Sequence, residues 1–321
     1  MKSKGEIHMK KMLSLILALA MCLALVACGG NPSGAPSDGE QDHYVVGVCQ
    51  LMEHTSLDQA TQGFADALKE SMEAAGKTVD IDIQVAGGTD LCTTVVTTLV
   101  AKEVDLLMAN ATPALLAAAN ATSTIPVLGT SVTDYADTFS GNIPANVSGT
   151  SDAVPFDEQA QMMISTLGLV AGDQVGVLYC SDESNSLLQY EAVKALFEAE
   201  GIVVKAYTFS ETTELQTLTT KACAECKAIY VPSDNTVADN DAVVGTICSD
   251  AGTPLYTSYG GSVCYASLAI DYYQLGWETG KMAADILLNG TAPADIDIMT
   301  LTPEVVYNEE LCAALGIEIA E

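Results

Sequence analysis

The body of this chain is written twice. VGV beginning at Val46 returns at Val175, the helix stop EAAG ending at Gly76 returns as EAEG ending at Gly201, and IPVLGTSV from Ile125 returns as TPLYTSYG from Thr253. Each copy alternates short apolar runs with amphipathic stretches. In the first copy the expected strands are Val45–Gln50, Val79–Val85, Asp105–Ala109 and Pro126–Gly129. Between them lie helices over Leu57–Ala75, from Thr89 or Asp90 to about Lys102, and Pro113–Ala121. The second copy repeats the order, with strands Gln174–Tyr179, Ile202–Tyr207, Ala228–Val231 and Leu255–Thr257 around helices Asn185–Glu200, Thr213–Glu225 and Thr236–Ala251. Consecutive parallel strands need a crossover between them, and a helix is the usual one, so this alternation predicts parallel sheets. The expected fold class is α/β, with two doubly wound parallel-sheet lobes.

Ahead of the repeat, Lys10 and Lys11 precede an apolar run from Met12 to Ala24, and LVAC closes at Cys28. The run is too short for a comfortable bilayer crossing, and its small residues stand where a signal peptidase cuts. Residues 1–27 are therefore expected to be a signal peptide, and Cys28, at the position of a lipoprotein lipobox, the lipid anchor that holds the chain at a membrane. Residues 28–43 carry Gly, Pro, Ser and acids without an apolar period and read as a flexible tether.

Removing residues 1–27 takes away four of twelve lysines and one of 42 acids, so the formal charge falls from −30 to −33. Arginine is absent, which leaves no guanidinium fork for phosphate or carboxylate and argues against nucleic acid as a partner. Eight cysteines remain beyond Cys22 and Cys28. Cys49, Cys180 and Cys264 fall in apolar runs and read as small buried hydrophobes. Cys223 and Cys226 form CAEC within a helical stretch, where a redox or metal role has little local support; no metal and no cofactor are expected.

In open parallel sheets ligands bind beyond the carboxyl ends of the strands. The repeat therefore pairs the loop holding Glu53 and His54 with that holding Ser181, Asn185 and Ser186. It pairs the loop at Thr112 with that at Asp234 and Asn235, and the loop at Ser131, Thr133 and Asp134 with Ser258. Asp271, before a helix over Tyr272–Leu288, joins the candidates. All are side chains able to bind a small polar solute, and most are equally ordinary as helix caps or turn residues. Tyr135, Tyr259 and Tyr272 could add an aromatic wall.

The runs MEHTSLDQATQGF, VDLLMANATPALLAAAN, IPVLGTSVTD, SGTSD, LYCSDESNS, IYVPSDNTV and LAIDYYQLGWETGKMAADIL closely resemble the ABC transporter substrate-binding lipoproteins called tryptophan or tyrosine transporter receptors, from Tyr44 to the C-terminus. The resemblance implies a type I periplasmic-binding-protein fold with three chain crossings, near residues 146–151, 258–262 and 297–302. Lobe 1 would then comprise 44–147 plus 262–298, and lobe 2 would comprise 148–258 plus 299–321. It also implies an extracytoplasmic receptor for a small amino-acid-like solute, working with an ABC permease and its ATPase.

With no arginine, a zwitterion's carboxylate must meet neutral donors such as Thr112, Ser131 and Thr133, and its ammonium a carboxylate, with Asp234 expected first and Glu53 second. A sensory receptor for a small solute is the alternative reading. A secreted enzyme is less supported, because no G-x-S-x-G, H-E-x-x-H or phosphate-loop motif accompanies Glu53, His54 or Ser181.

Overall fold

In the computed structural model, which describes residues 41–319, the fully apolar runs become central strands and the alternating ones become edges. The chain begins with β1 (His43–Gln50), α1 (Thr55–Ala74), β2 (Thr78–Val85), α2 (Cys92–Val100), β3 (Leu106–Asn110), α3 (Thr112–Ala121), β4 (Val127–Val132), α4 (Tyr135–Thr138) and β5 (Val147–Ser151). The second copy follows as α5 (Phe156–Leu167), β6 (Gln174–Cys180), α6 (Ser184–Ala199), β7 (Val203–Phe209), α7 (Leu215–Glu225), β8 (Ala228–Val231), α8 (Asn235–Asp239), α9 (Asp241–Ala251), β9 (Leu255–Thr257) and β10 (Ala266–Ala269). Then come α10 (Tyr272–Asn289), β11 (Met299–Thr300), β12 (Glu304–Tyr307) and α11 (Glu309–Leu315). The single helix expected over Thr236–Ala251 is broken at Asn240, which ends α8 and starts α9.

Two six-stranded sheets result, in the orders β11-β5-β4-β3-β1-β2 and β12-β10-β9-β8-β6-β7, parallel except for the β10–β12 pair. Strands β3 and β4 are buried along their whole length, as helices on both faces require. Edge strand β2, TVDIDIQV, is exposed or half-buried along its whole length. Helix α1 turns Leu57, Ala60, Phe64 and Leu68 inward, the face its 3.6-residue period selects.

The sheets define the two lobes and move the expected crossings. Strand β5 pairs with β4 and β11, so residues 147–151 belong to the first lobe and the chain leaves it at 152–155. Strand β10 pairs with β9 and β12, so residues 262–269 stay in the second lobe; the return falls at 270–271 rather than 258–262. Gly260 and Gly261, both at positive φ, turn the chain within that lobe. Strand β11 remains on the first sheet and β12 joins the second, placing the last crossing at 301–303. The tether is also shorter than expected at its end, because His43 already pairs with Thr78 in β1. The signal segment, Cys28 and the rest of the tether lie outside the described residues.

Helix α10 ties the C-terminal third back to the first lobe by packing along α1. The approach is close because glycine stands at the contacts. A Cβ at Gly276 would overlap the carbonyl oxygen of Ala60, and one at Gly63 the carbonyl oxygen of Tyr273.

Candidate functional site

The carboxyl ends of both sheets face each other across the three crossings. Between them His54, Leu57, Ser131 and Thr133 of the first lobe, Asn185, Ser233, Asp234, Asn235, Ala238 and Tyr259 of the second, and Asp152 and Tyr272 beside the crossings enclose a cavity. The space between them is about 280 Å³, part of it open to solvent.

Local chain geometry aims the polar groups. The β4–β5 register shifts between Gly129 and Val132, and Ser131 sits at φ 55°, the left-handed region that costs a non-glycine residue about 1 kcal/mol. Among the described residues, Ser131 Oγ, Asp152 Oδ1 and Asn185 Oδ1 are buried atoms without a hydrogen-bond partner, and all three residues line this cavity. Asp152 Oδ2 accepts a 3.0 Å bond from the Tyr272 hydroxyl. Burial pushes the Asp152 carboxyl above the ordinary aspartate range, opposed by that hydroxyl and, less strongly, by Thr133 and the residue's own backbone. The Asn185 amide is oriented because its Nδ2 donates to Ser233 O at 2.8 Å and to Glu183 Oε2 at 3.3 Å, leaving Oδ1 as the free acceptor.

Glu183, 1% exposed, organises the second-lobe wall. It accepts from the Asn235 and Thr236 backbone N–H groups at 3.0 and 2.8 Å, from Asn235 Nδ2 at 2.6 Å and from the Thr236 hydroxyl at 2.8 Å. With its Nδ2 so engaged, Asn235 presents Oδ1 to His54 Nε2 at 3.2 Å, and His54 is the donor. This bond joins the lobes, as does Gln189 Nε2 donating to Thr133 Oγ1 at 3.3 Å. Burial lowers the His54 pKa, which favours the neutral ring.

Several expected site residues fall elsewhere. Asp234 lines the cavity, but both its oxygens serve the backbone: Oδ1 accepts from Val237 N at 2.8 Å as the cap of α8, and Oδ2 from Cys180 N at 2.7 Å. Burial, with Glu183 beside it, pushes its carboxyl up to about 8. With both oxygens engaged by backbone N–H groups, Asp234 suits the expected ammonium role less well than a carboxylate with a spare oxygen. Glu53 and Asp271 border a wider, open groove outside the cavity, where Asp271 also caps α10. Asp134 is an exposed cap of α4, and Ser181 is exposed and bonds to Phe209 O. Thr112, Ser186 and Ser258 are buried without lining the cavity; Ser258 bonds to Gln159 and Ser233. Of the three tyrosines, Tyr259 and Tyr272 line it, whereas Tyr135 is core, its hydroxyl donating to Thr150 O. The sequence reading missed Asp152, although that residue closes the SGTSD run.

A buried polar cavity shared by two hinged α/β lobes defines a solute-binding protein. The chain belongs to the ABC transporter substrate-binding protein family, whose model matches residues 45–321. It is 31% identical over 97% of its length to a Tyrosine-binding protein of Clostridioides difficile, and covers 94% of that protein. Among solved structures it is similar to an ABC domain from Streptococcus pneumonia in complex with L-Trp, at 32% identity, TM-score 0.78, and coverage of 86% of this chain and 96% of that one. It is also similar to a ligand-free, open substrate-binding protein from Clostridium difficile at 30% identity with the same coverages, but with a TM-score of 0.64. At nearly equal identity the better superposition is with the ligand complex, in keeping with lobes that touch here. Substrate-binding proteins of ABC importers work outside the cytoplasm, and among the described residues no helix is long and apolar enough to cross a membrane.

Proposed function

We propose that this chain captures a free aromatic amino acid between its lobes and delivers it unchanged to an ABC permease. The observation that carries the reading is the convergence of two unpartnered buried acceptors, Asp152 Oδ1 and Asn185 Oδ1, on one cavity. Two acceptors, one of them a carboxylate, suit the three donors of an α-ammonium group. The Ser131 hydroxyl is a neutral donor for the α-carboxylate, and Tyr259 and Tyr272 supply aromatic wall. Relatives named for tyrosine binding and solved with L-Trp support the same solute class.

Thermal unfolding with L-tryptophan, L-tyrosine and L-phenylalanine tests it. Ligand at about 100 times Kd stabilises the folded state by about 2.7 kcal/mol, so at least one of the three is expected to raise Tm by on the order of 5 °C. No shift with any of them, alongside a clear shift with an uncharged sugar, would sink the amino-acid reading.

The membrane attachment proposed for this receptor rests on the N-terminal sequence, where Lys10, Lys11 and the apolar run lead to Cys28. With two or more acyl chains at that residue the protein is held stably at the bilayer. Cys28→Ser is expected to move it from the membrane fraction to the soluble one, and unchanged retention would remove Cys28 as the anchor.

A further inference from the structure

Eight thiols are free among the described residues, and six of them are buried; only Cys223 and Cys226 are partly exposed. The CAEC spacing suggests that these two belong together, but helix geometry parts them. Cys223 lies within α7, whereas Cys226 is its extended C-cap residue, with Sγ 3.4 Å from the Tyr207 hydroxyl. The sulfur next to Cys223 is Cys248 of the neighbouring helix α9, 3.8 Å away and 25 residues along the chain. We propose that Cys223 and Cys248 are an oxidisable pair that closes a disulfide stapling α7 to α9 in the second lobe.

The geometry and chemistry agree. Starting from 3.8 Å, the sulfurs need to approach by about 1.8 Å to reach bonding distance. Cys223 is the attacking thiol because it is reachable from solvent and its pKa is pushed down to about 7, chiefly by the Cys248 thiol beside it. Cys248, whose thiol is pushed up by Cys223 and by burial, resolves the intermediate. The Cys223 thiolate attacks an external disulfide and releases one thiol, forming a mixed disulfide. Cys248 then loses its proton and attacks the Cys223 sulfur, releasing the second thiol. Two protein thiols are oxidised and one external disulfide is reduced. Proteins working outside the cytoplasm meet such oxidants. Cys49 and Cys92 also adjoin, but both are fully buried and offer no thiol for the first attack.

The test is oxidation of the full folded chain with glutathione disulfide, followed by thiol titration and tandem mass spectrometry of non-reduced peptides. The expected result is a loss of two thiols per chain, a Cys223–Cys248 linkage, and a Tm raised by on the order of 5 °C that returns to its starting value with reductant. Cys226→Ser is expected to keep the linkage, and Cys248→Ser to stop at a glutathione adduct on Cys223. A Cys223–Cys226 linkage, a linkage between chains, or eight thiols still titratable in the described body would overturn the proposal. None of these readouts depends on which solute the cleft takes.

Discussion

Asp152→Asn is expected to weaken binding of an aromatic amino acid by at least about 100-fold, on the order of 3 kcal/mol, while the free protein stays as stable as before or gains a few degrees in Tm. The two effects have one cause. In the free protein the Asp152 carboxylate is held where burial disfavours its charge, and Oδ1 lacks a hydrogen-bond partner. Asparagine removes that desolvation cost and can still accept from Tyr272. In the complex the missing charge leaves an ammonium group facing a neutral amide in a site closed to water, where an unpaired charge is most costly. Calorimetry at neutral pH with the amino acid that gives the largest thermal shift provides the affinity. Binding within threefold of wild type would take Asp152 out of the ammonium role, and a collapse of Tm would show that its part is structural.

Gly276→Ala is expected to cost a large share of the protein's stability, roughly 3 kcal/mol or more. Its Cβ would meet a carbonyl group of α1 rather than a side chain, so no rotamer change relieves the clash and the helices must move apart. Urea denaturation measures the loss as a lowered midpoint. Separation of α1 from α10 would also open the packing around Phe64, Leu68, Met282 and Ala283. A midpoint unchanged within error would mean that the helix pair yields cheaply, against the close packing seen at Ala60.

Strands β1 to β4 and β6 to β9 were legible in the sequence because a parallel strand covered on both faces tends to be an apolar run, as AIYV in β8 shows, whereas the polar VSGTS of β5 and the short β10 to β12 were not. The lobe boundaries were less so. A loop with two glycines, Gly260 and Gly261, looks like a hinge, yet which sheet a two-residue strand such as Met299–Thr300 joins is decided by partners far away in sequence. The loops at the strand ends bring Ser131, Thr133, Asn185 and Asn235 to the wall of one cavity. What could not be read was which oxygen of an aspartate is spare. Asp234 and Asp152 look alike in sequence; one spends both oxygens on backbone N–H groups and the other keeps Oδ1 free. The neighbour of Cys223 was unreadable for a similar reason, since that sulfur, Cys248, comes from another helix.

The return of α10 to the first lobe also bears on the order in which this protein can be completed as it emerges from a ribosome or a translocation pore. The lobe that is begun first stays unfinished while most of the second is made. Until Tyr272–Asn289 has emerged, Phe64, Leu68 and Met72 lack the cover that Met282, Ala283 and Ile286 provide, although β1 to β5 are already present. The second lobe, from α5 to β10, is synthesised within that interval and draws only β12 and α11 from later sequence. An early lobe thus waits through more than a hundred residues of synthesis with an apolar helix face open to other chains. Through that interval the inner face of α1 that packs on α10 has no cover from its own chain.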